Sequence, residues 1–138
     1  MTPKNSFNDD YDSETTHVVI NSCRYSLMVP SRIEPFVNPL DAMAHFPLWA
    51  KIWPASWVLA AHLAEMPVVS TQKIIKIGAG IGLVSIVAAS FGHDVTMTEY
   101  DENALQFALA NAEINHCPDM KICRLDLHRP DLEDRFDT

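Results

Sequence analysis

Hydrophobic and polar positions divide the chain into an irregular first part and a regular second part. Residues 1–16 are acidic and polar without periodicity, which predicts a disordered tail. Residues 17–40 contain short runs of β-forming residues interrupted at Asn21 and Ser22, which predicts a β-hairpin extension that ends in a proline-punctuated loop. Apolar residues at helical spacing then follow Pro54, so we expect a helix from there to Pro67.

From Lys73 onward, short β-rich runs alternate with helical patterns. The runs KIIKI, DVTMTE and MKICRLD predict three strands, and FD near the end predicts the start of a fourth. LVSIVAASF and ENALQFALANAEIN predict the intervening helices, the second with Asp101 as its N-cap. Short links between such elements require parallel pairing through right-handed crossovers. We therefore predict an α/β fold, in which residues 41–138 form the N-terminal half of a Rossmann-like parallel sheet domain.

Composition narrows the class of protein. The 138 residues carry a net charge of −8, so we expect no nucleic-acid partner. There is no signal peptide or apolar run long enough to span a bilayer, and we expect a soluble, cytoplasmic protein without membrane contact. The three cysteines have neither zinc-site spacing nor a disulfide framework, so no metal site is predicted.

The most specific motif is a glycine-rich turn, Ile77-Gly78-Ala79-Gly80-Ile81-Gly82, which directly follows a predicted strand and directly precedes a predicted helix. Glycine suits a tight turn at which a ligand approaches the backbone, because a Cβ would obstruct that approach. The helix then presents unpaired N–H groups to the ligand. We predict cofactor contacts at Gly78, Ala79, Gly80 and Gly82.

Glu99 stands seventeen residues after Gly82, at the end of the second predicted strand. A carboxylate there can accept both hydroxyl protons of a ribose, which indicates an adenosine cofactor. The alternative is a glycine turn that only packs a helix on a strand, with Glu99 solvated. The dinucleotide fingerprint G-x-G-x-x-G would require a glycine where Leu83 stands. The spacing here is G-x-G-x-G, which is found in methyltransferases of this fold and favours their cofactor. Asp126 ends the third strand, where it either meets the adenine amino group or caps a turn.

These segments, together with PLWAKIWPASWVLAAHL and RLDLHRPD, resemble the N-terminal part of the class I, seven-strand methyltransferases, specifically the protein-lysine methyltransferases known as family 16. The resemblance covers roughly residues 17–138 and implies S-adenosylmethionine as cofactor and a protein lysine as substrate. It places Trp53 against the cofactor, Glu99 on the ribose and Leu127 beside the adenine. Trp53 could instead share a packed stripe with Trp49 and Trp57, which we expect in the core.

The chain departs from the family in two places. Lys76 replaces an acidic residue two positions before the first glycine, where it would repel the cofactor's ammonium and sulfonium. Like charges about 5 Å apart at an effective dielectric of about 20 cost roughly 3 kcal/mol, which weakens binding more than a hundredfold. Only Phe136, Asp137 and Thr138 match the fourth strand, which predicts a truncated chain. We expect its open first strand to make it marginally stable or self-associating.

Three functions remain open from the sequence. The first is an S-adenosylmethionine-dependent methyltransferase acting on a protein lysine, present as an incomplete chain. The second is an inactive remnant or cofactor-binding module of the same fold, and the third is a nicotinamide-dependent oxidoreductase. No catalytic residue is assigned, because the histidines considered have no partner pattern: His45, His62, His93, His116 and His128.

Overall fold

A computed structural model describes residues 6–44, 46–117, 119–132 and 135–138. Those residues form a two-stranded hairpin, a three-stranded sheet and four α-helices. No helix among them is both long and apolar enough to cross a membrane. In chain order the elements are α1 (Ser6–Asp10), β1 (Ser13–Ile20), β2 (Cys23–Pro30), 3-10 turns at Glu34–Phe36 and Leu48–Ala50, α2 (Pro54–Glu65), β3 (Lys73–Lys76), α3 (Leu83–Ser90), β4 (Asp94–Glu99), α4 (Glu102–Ile114) and β5 (Lys121–Arg124).

The three-stranded sheet is parallel and has the order β3-β4-β5. Helix α3 connects β3 to β4 and is almost entirely apolar, because it is buried along most of its length. Helix α4 connects β4 to β5, and the Asp101 side chain accepts a hydrogen bond from Ala104 N at 3.1 Å. This bond satisfies a free donor of the first turn. The predicted Rossmann-like α/β fold and the N-cap are confirmed.

Residues at the C-terminal end of the chain lie along the outer side of β3. Ile75 N donates to Thr138 O at 2.8 Å, and Asp137 N donates to Lys73 O at 2.8 Å. The Asp137 carboxylate also accepts from Lys73 N at 2.7 Å. The predicted start of a fourth strand therefore covers part of the β3 edge. Self-association through that edge stays a prediction.

The hairpin begins at Ser13, earlier than the sequence predicted, and its second strand ends at Pro30. Its strands pair antiparallel from Ser13 opposite Pro30 to Ile20 opposite Cys23. The turn falls at Asn21 and Ser22, with φ of 48° and 67°. Positive φ at both central residues matches the twist of a two-residue hairpin turn. The predicted position of the turn is confirmed.

The segment predicted as a disordered tail contains ordered structure. Helix α1 places Phe7 against Phe107, with ring centroids 4.8 Å apart, and Tyr11 donates to Asn103 Oδ1 at 2.8 Å. Phe7 is buried at 8% exposure. Phe7 and Tyr11 lie four residues apart, about one helical turn, and anchor a segment that is otherwise polar. Residues 1–5 of the predicted tail lie outside the described residues.

Two asparagines, Asn111 in α4 and Asn115 at its C-cap, hold the hairpin onto the rest of the domain. Asn111 accepts from Met28 N at 2.7 Å and donates to Met28 O at 3.1 Å. Asn115 accepts from Ser26 N at 3.0 Å and donates to Ser26 O at 2.6 Å. Four residues along a helix rise about 6 Å, close to the rise of two residues along a strand. The side-chain amides thus pair with the β2 edge as a neighbouring strand would.

Candidate cofactor-binding site

The glycine-rich turn is held open by its backbone conformation. Gly78, Gly80 and Gly82 have φ of 60°, 59° and 100°, values that residues with a Cβ rarely adopt. Ala79 N donates to Thr98 O at 2.9 Å, which fixes the turn to β4. Apart from Gly78 itself and its two chain neighbours, no described residue has a heavy atom within 4 Å of a Cβ built at Gly78, so the space beside it is free.

Gly82 has a different role from the other two glycines. A Cβ built there would lie 3.2 Å from Met97 Sδ and 3.3 Å from Ile86 Cδ1. The residue therefore allows α3 to approach β4 closely, in the interior of the domain. Gly78, Ala79 and Gly80 line a cavity, whereas Gly82 is not among the described residues that line it.

The Glu99 carboxylate faces the glycine turn. Its Oε1 accepts from Gly80 N at 3.0 Å, and its Oε2 accepts from Tyr100 N at 2.6 Å and Asp101 N at 3.2 Å. A carboxylate offers about four lone-pair sites, and these bonds use three of them. Within the described part of the chain, one acceptor site of the carboxylate is left over by these bonds. The arrangement does not match the alternative in which Glu99 is merely solvated.

The cavity beside this turn has a volume of about 350 Å³. Trp53 lines it, and its indole is oriented because Nε1 donates to Leu48 O at 2.7 Å. A larger hollow of about 670 Å³ between α1 and α4 contains none of the predicted site residues. The smaller cavity is also lined by residues that we did not predict to contact the cofactor, although they adjoin the tryptophan-proline segment or the turn: Leu48, Trp49, Lys51, Ile52, Ser56, Ile81, Leu83 and Val84.

The three tryptophans do not form one packed stripe. Trp49 is partly buried and packs against the core, as predicted, with its ring centroid 5.0 and 5.6 Å from those of Phe36 and Phe107, but it also lines the cavity. Trp57 is 41% exposed, so its predicted place in the core is wrong. The helix face that carries Trp57 has no neighbour among the described residues that buries it. Trp53 lies at the cavity beside Trp49.

Asp126 and Leu127 are not among the described residues that line the cavity. The Asp126 carboxylate accepts from His128 N at 2.9 Å and its carbonyl accepts from Arg129 N at 3.0 Å, so it caps a turn. Of the two roles considered from the sequence, contact with an adenine amino group or capping of a turn, this geometry agrees with capping. Leu127 is 61% exposed.

Lys76 lies at the end of β3 and lines the cavity. Its Nζ donates to Ile77 O at 2.8 Å, with Gly78 O at 3.5 Å. Burial lowers the pKa of Lys76, and the Glu99 charge opposes that shift. Among the histidines, His93 is buried and its ring bonds to Leu63 O at 2.9 Å, and His45 lies outside the described residues.

The parallel sheet, the glycine turn and the carboxylate after the next strand together define a domain of the class I, Rossmann-like methyltransferases, whose cofactor is S-adenosylmethionine. The chain belongs to the methyltransferase small domain family, which matches residues 47–138.

Comparison with curated proteins gives partial matches to enzymes of two kinds. Protein N-lysine methyltransferase METTL21A of Danio rerio is 46% identical over 68 residues, which cover 48% of this chain and 30% of that protein. METTL21A of Mus musculus is 42% identical over 71 residues, covering 50% and 32%. An uncharacterized RNA methyltransferase, pc0248, of Protochlamydia amoebophila is 36% identical over 59 residues, covering 43% and 14%. The chain thus spans about a third or less of the length of these relatives.

Solved structures agree with the fold. Pyrococcus horikoshii TYW2 in complex with MeSAdo superposes with a TM-score of 0.53 at 22% identity, covering 81% of this chain and 36% of that one. The Pyrococcus abyssi tRNA (uracil-54, C5)-methyltransferase in complex with S-adenosyl-L-homocysteine gives a TM-score of 0.55 at 21% identity, covering 90% and 26%. At these identities the likeness concerns the fold.

Proposed function

We propose that this chain provides the cofactor-binding half of an S-adenosylmethionine-dependent methyltransferase that modifies lysine in a protein substrate. The observation that carries the proposal is the Glu99 carboxylate, which lies against Gly80 N at the wall of a cavity of suitable size. Family membership supports methyl transfer.

The residues of the cavity fit the proposed cofactor in two respects. Gly78 leaves free space beside the turn, and Glu99 supplies an acceptor for ribose hydroxyls. When bound, the cofactor supplies an electrophilic methyl group on a sulfonium. Trp53 lines one side of the cavity, and its hydrogen bond to Leu48 O fixes the orientation of the indole there. Lys76 is the feature that fits a cationic ligand least well.

Lysine in a protein is the proposed acceptor, because the METTL21A relatives are named for that activity. The net charge of −8 suits a basic protein segment and disfavours the phosphate backbone of RNA. An RNA acceptor remains the second candidate, because one relative is named as an RNA methyltransferase. A nicotinamide-dependent oxidoreductase is disfavoured, because the third-glycine position holds Leu83, which is buried at 3% exposure.

Calorimetric titration with S-adenosylhomocysteine, S-adenosylmethionine and NAD tests the cofactor. Replacing Glu99 by Gln keeps the side-chain size but removes the charge, and we expect affinity for S-adenosylhomocysteine to fall about tenfold or more. The matched control is Glu102→Gln, because Glu102 lies three residues later and lines the hollow beside α1. Thermal melts of both variants report whether they fold. Binding of NAD alone, or equal affinity in wild type and Glu99→Gln, would overturn the cofactor proposal.

Transfer of a labelled methyl group tests the acceptor. We expect label from S-adenosylmethionine in a lysine-rich polypeptide, recovered as methyl-lysine after hydrolysis, and none in RNA. Label in RNA instead would make the acceptor proposal wrong and leave methyl transfer intact. Binding of S-adenosylhomocysteine without transfer to either acceptor would favour the cofactor-binding module.

A further inference from the structure

Lys76 brings a positive charge to the wall of the cavity. Among the described residues, the charged ones that line the cavity are Lys51, Lys76 and Glu99. All three hydrogen bonds to the Glu99 carboxylate come from backbone N–H groups, and the Lys51 ammonium lies 4.8 Å from the centre of the Trp53 ring. The described side chains that line the cavity thus carry one more positive than negative charge.

Burial and geometry make Lys76 the more effective of the two cations. Its Nζ donates a hydrogen bond to Ile77 O at 2.8 Å, beside the glycine turn, and the side chain is half-buried. Lys51 is exposed, so water screens its charge more. A cavity of about 350 Å³, if roughly spherical, is about 9 Å across, which is close to one Debye length at physiological salt. A charged centre anywhere in the cavity therefore experiences the Lys76 ammonium.

We propose that Lys76 makes this cavity select adenosine thioethers, in which the sulfur is neutral, over the adenosine sulfonium that donates the methyl group. The proposal rests on the proposed function, since it concerns the same cavity. S-Adenosylhomocysteine and S-adenosylmethionine share the adenosine and the amino-acid group. They differ by one methyl and one positive charge at sulfur, so the ratio of their dissociation constants isolates the effect of that charge.

The expected size follows from Coulomb's law. Two like charges about 6 Å apart at an effective dielectric of about 40, between protein surface and water, repel by about 1.4 kcal/mol, or tenfold in affinity. The ratio of the dissociation constant of S-adenosylmethionine to that of S-adenosylhomocysteine should fall about tenfold in Lys76→Met. It should fall further in Lys76→Glu, where repulsion becomes attraction.

Isothermal titration of both ligands into the full chain tests the proposal. Lys76→Arg keeps the charge and should keep the wild-type ratio, which separates charge from any loss of folding. Lys73→Met is the matched control, because Lys73 is an exposed residue three positions earlier on β3, about 10 Å away. It should leave the ratio unchanged.

The outcomes separate this proposal from the proposed function. An equal ratio in wild type, Lys76→Met and Lys76→Glu overturns the selectivity and leaves cofactor binding intact. A change in Lys73→Met as large as in Lys76→Met shows that the cavity charge is not responsible. If neither ligand binds wild type or any folded variant, the cofactor proposal fails and the selectivity fails with it.

Discussion

Asn111 offers a quantitative test of how the hairpin is held. Its side chain has no exposed surface and makes three hydrogen bonds to backbone: from Met28 N at 2.7 Å, to Met28 O at 3.1 Å and to Ile81 O at 3.0 Å. Met28 lies in β2 and Ile81 in the glycine turn. The change to test is Asn111→Ala, which removes all three bonds together.

The cost follows from burial. Met28 and Ile81 are 9% and 4% exposed, so water cannot readily replace the lost partner. A buried backbone group left without a partner costs about 1 kcal/mol or more, so three such groups lower the free energy of unfolding by roughly 3 kcal/mol. For a domain of this length that corresponds to a fall in Tm on the order of 10 °C.

Urea unfolding followed by circular dichroism measures this cost. Asn115→Ala is the matched control, because Asn115 pairs with Ser26 in the same way at a partly exposed site where water can substitute. We expect it to lose about 1 kcal/mol. If Asn111→Ala loses no more than Asn115→Ala, the burial argument is refuted.

Three further changes test other parts of the structure. Gly82→Ala places a Cβ 3.2 Å from Met97 Sδ at a φ of 100°, so the free energy of unfolding should fall by roughly 2 kcal/mol. A thermal melt measures this loss, and an unchanged melt contradicts the close packing of Gly82 against Met97. Phe7→Ala removes the ring packed on Phe107 and should lower the free energy of unfolding in urea by roughly 2 kcal/mol. Amide hydrogen exchange over residues 6–10 should become faster, and exchange at the wild-type rate there contradicts the anchoring role. Burial lowers the pKa of Lys76 below the usual 10.5, so the unfolded state binds more protons between the two values. The stability of Lys76→Met relative to wild type should therefore decrease as the pH rises from about 7 toward about 10, and a difference that does not change with pH contradicts it.

Local patterns predicted the elements that depend on neighbouring residues. The alternation of strand and helix from Lys73 onward, the turn at Asn21 and Ser22 and the cap at Asp101 were all predictable, because each depends on residues only a few positions apart. The orientation of Glu99 toward the glycine turn also follows from one βαβ unit, in which strand ends meet at one edge.

Features that depend on residues far apart in the sequence could not be predicted from it. Asn111 pairs with Met28 across 83 positions, and within a helix an asparagine indicates only a polar site. The role of Phe7 was not predicted, because its segment is acidic and polar on average and composition does not show which side chains pack against a distant partner. Trp57 has the spacing of a core residue but is exposed, because helical periodicity identifies a face and not the element that covers it.

The pairing of α4 with β2 also affects synthesis. Because 83 positions separate Met28 from Asn111, at about 5 to 20 residues per second the ribosome makes the helix roughly 4 to 17 seconds after the strand. Throughout that interval the nascent hairpin has unsatisfied peptide groups along one side, which other chains could engage. Arrival of the two asparagines ends this vulnerable period.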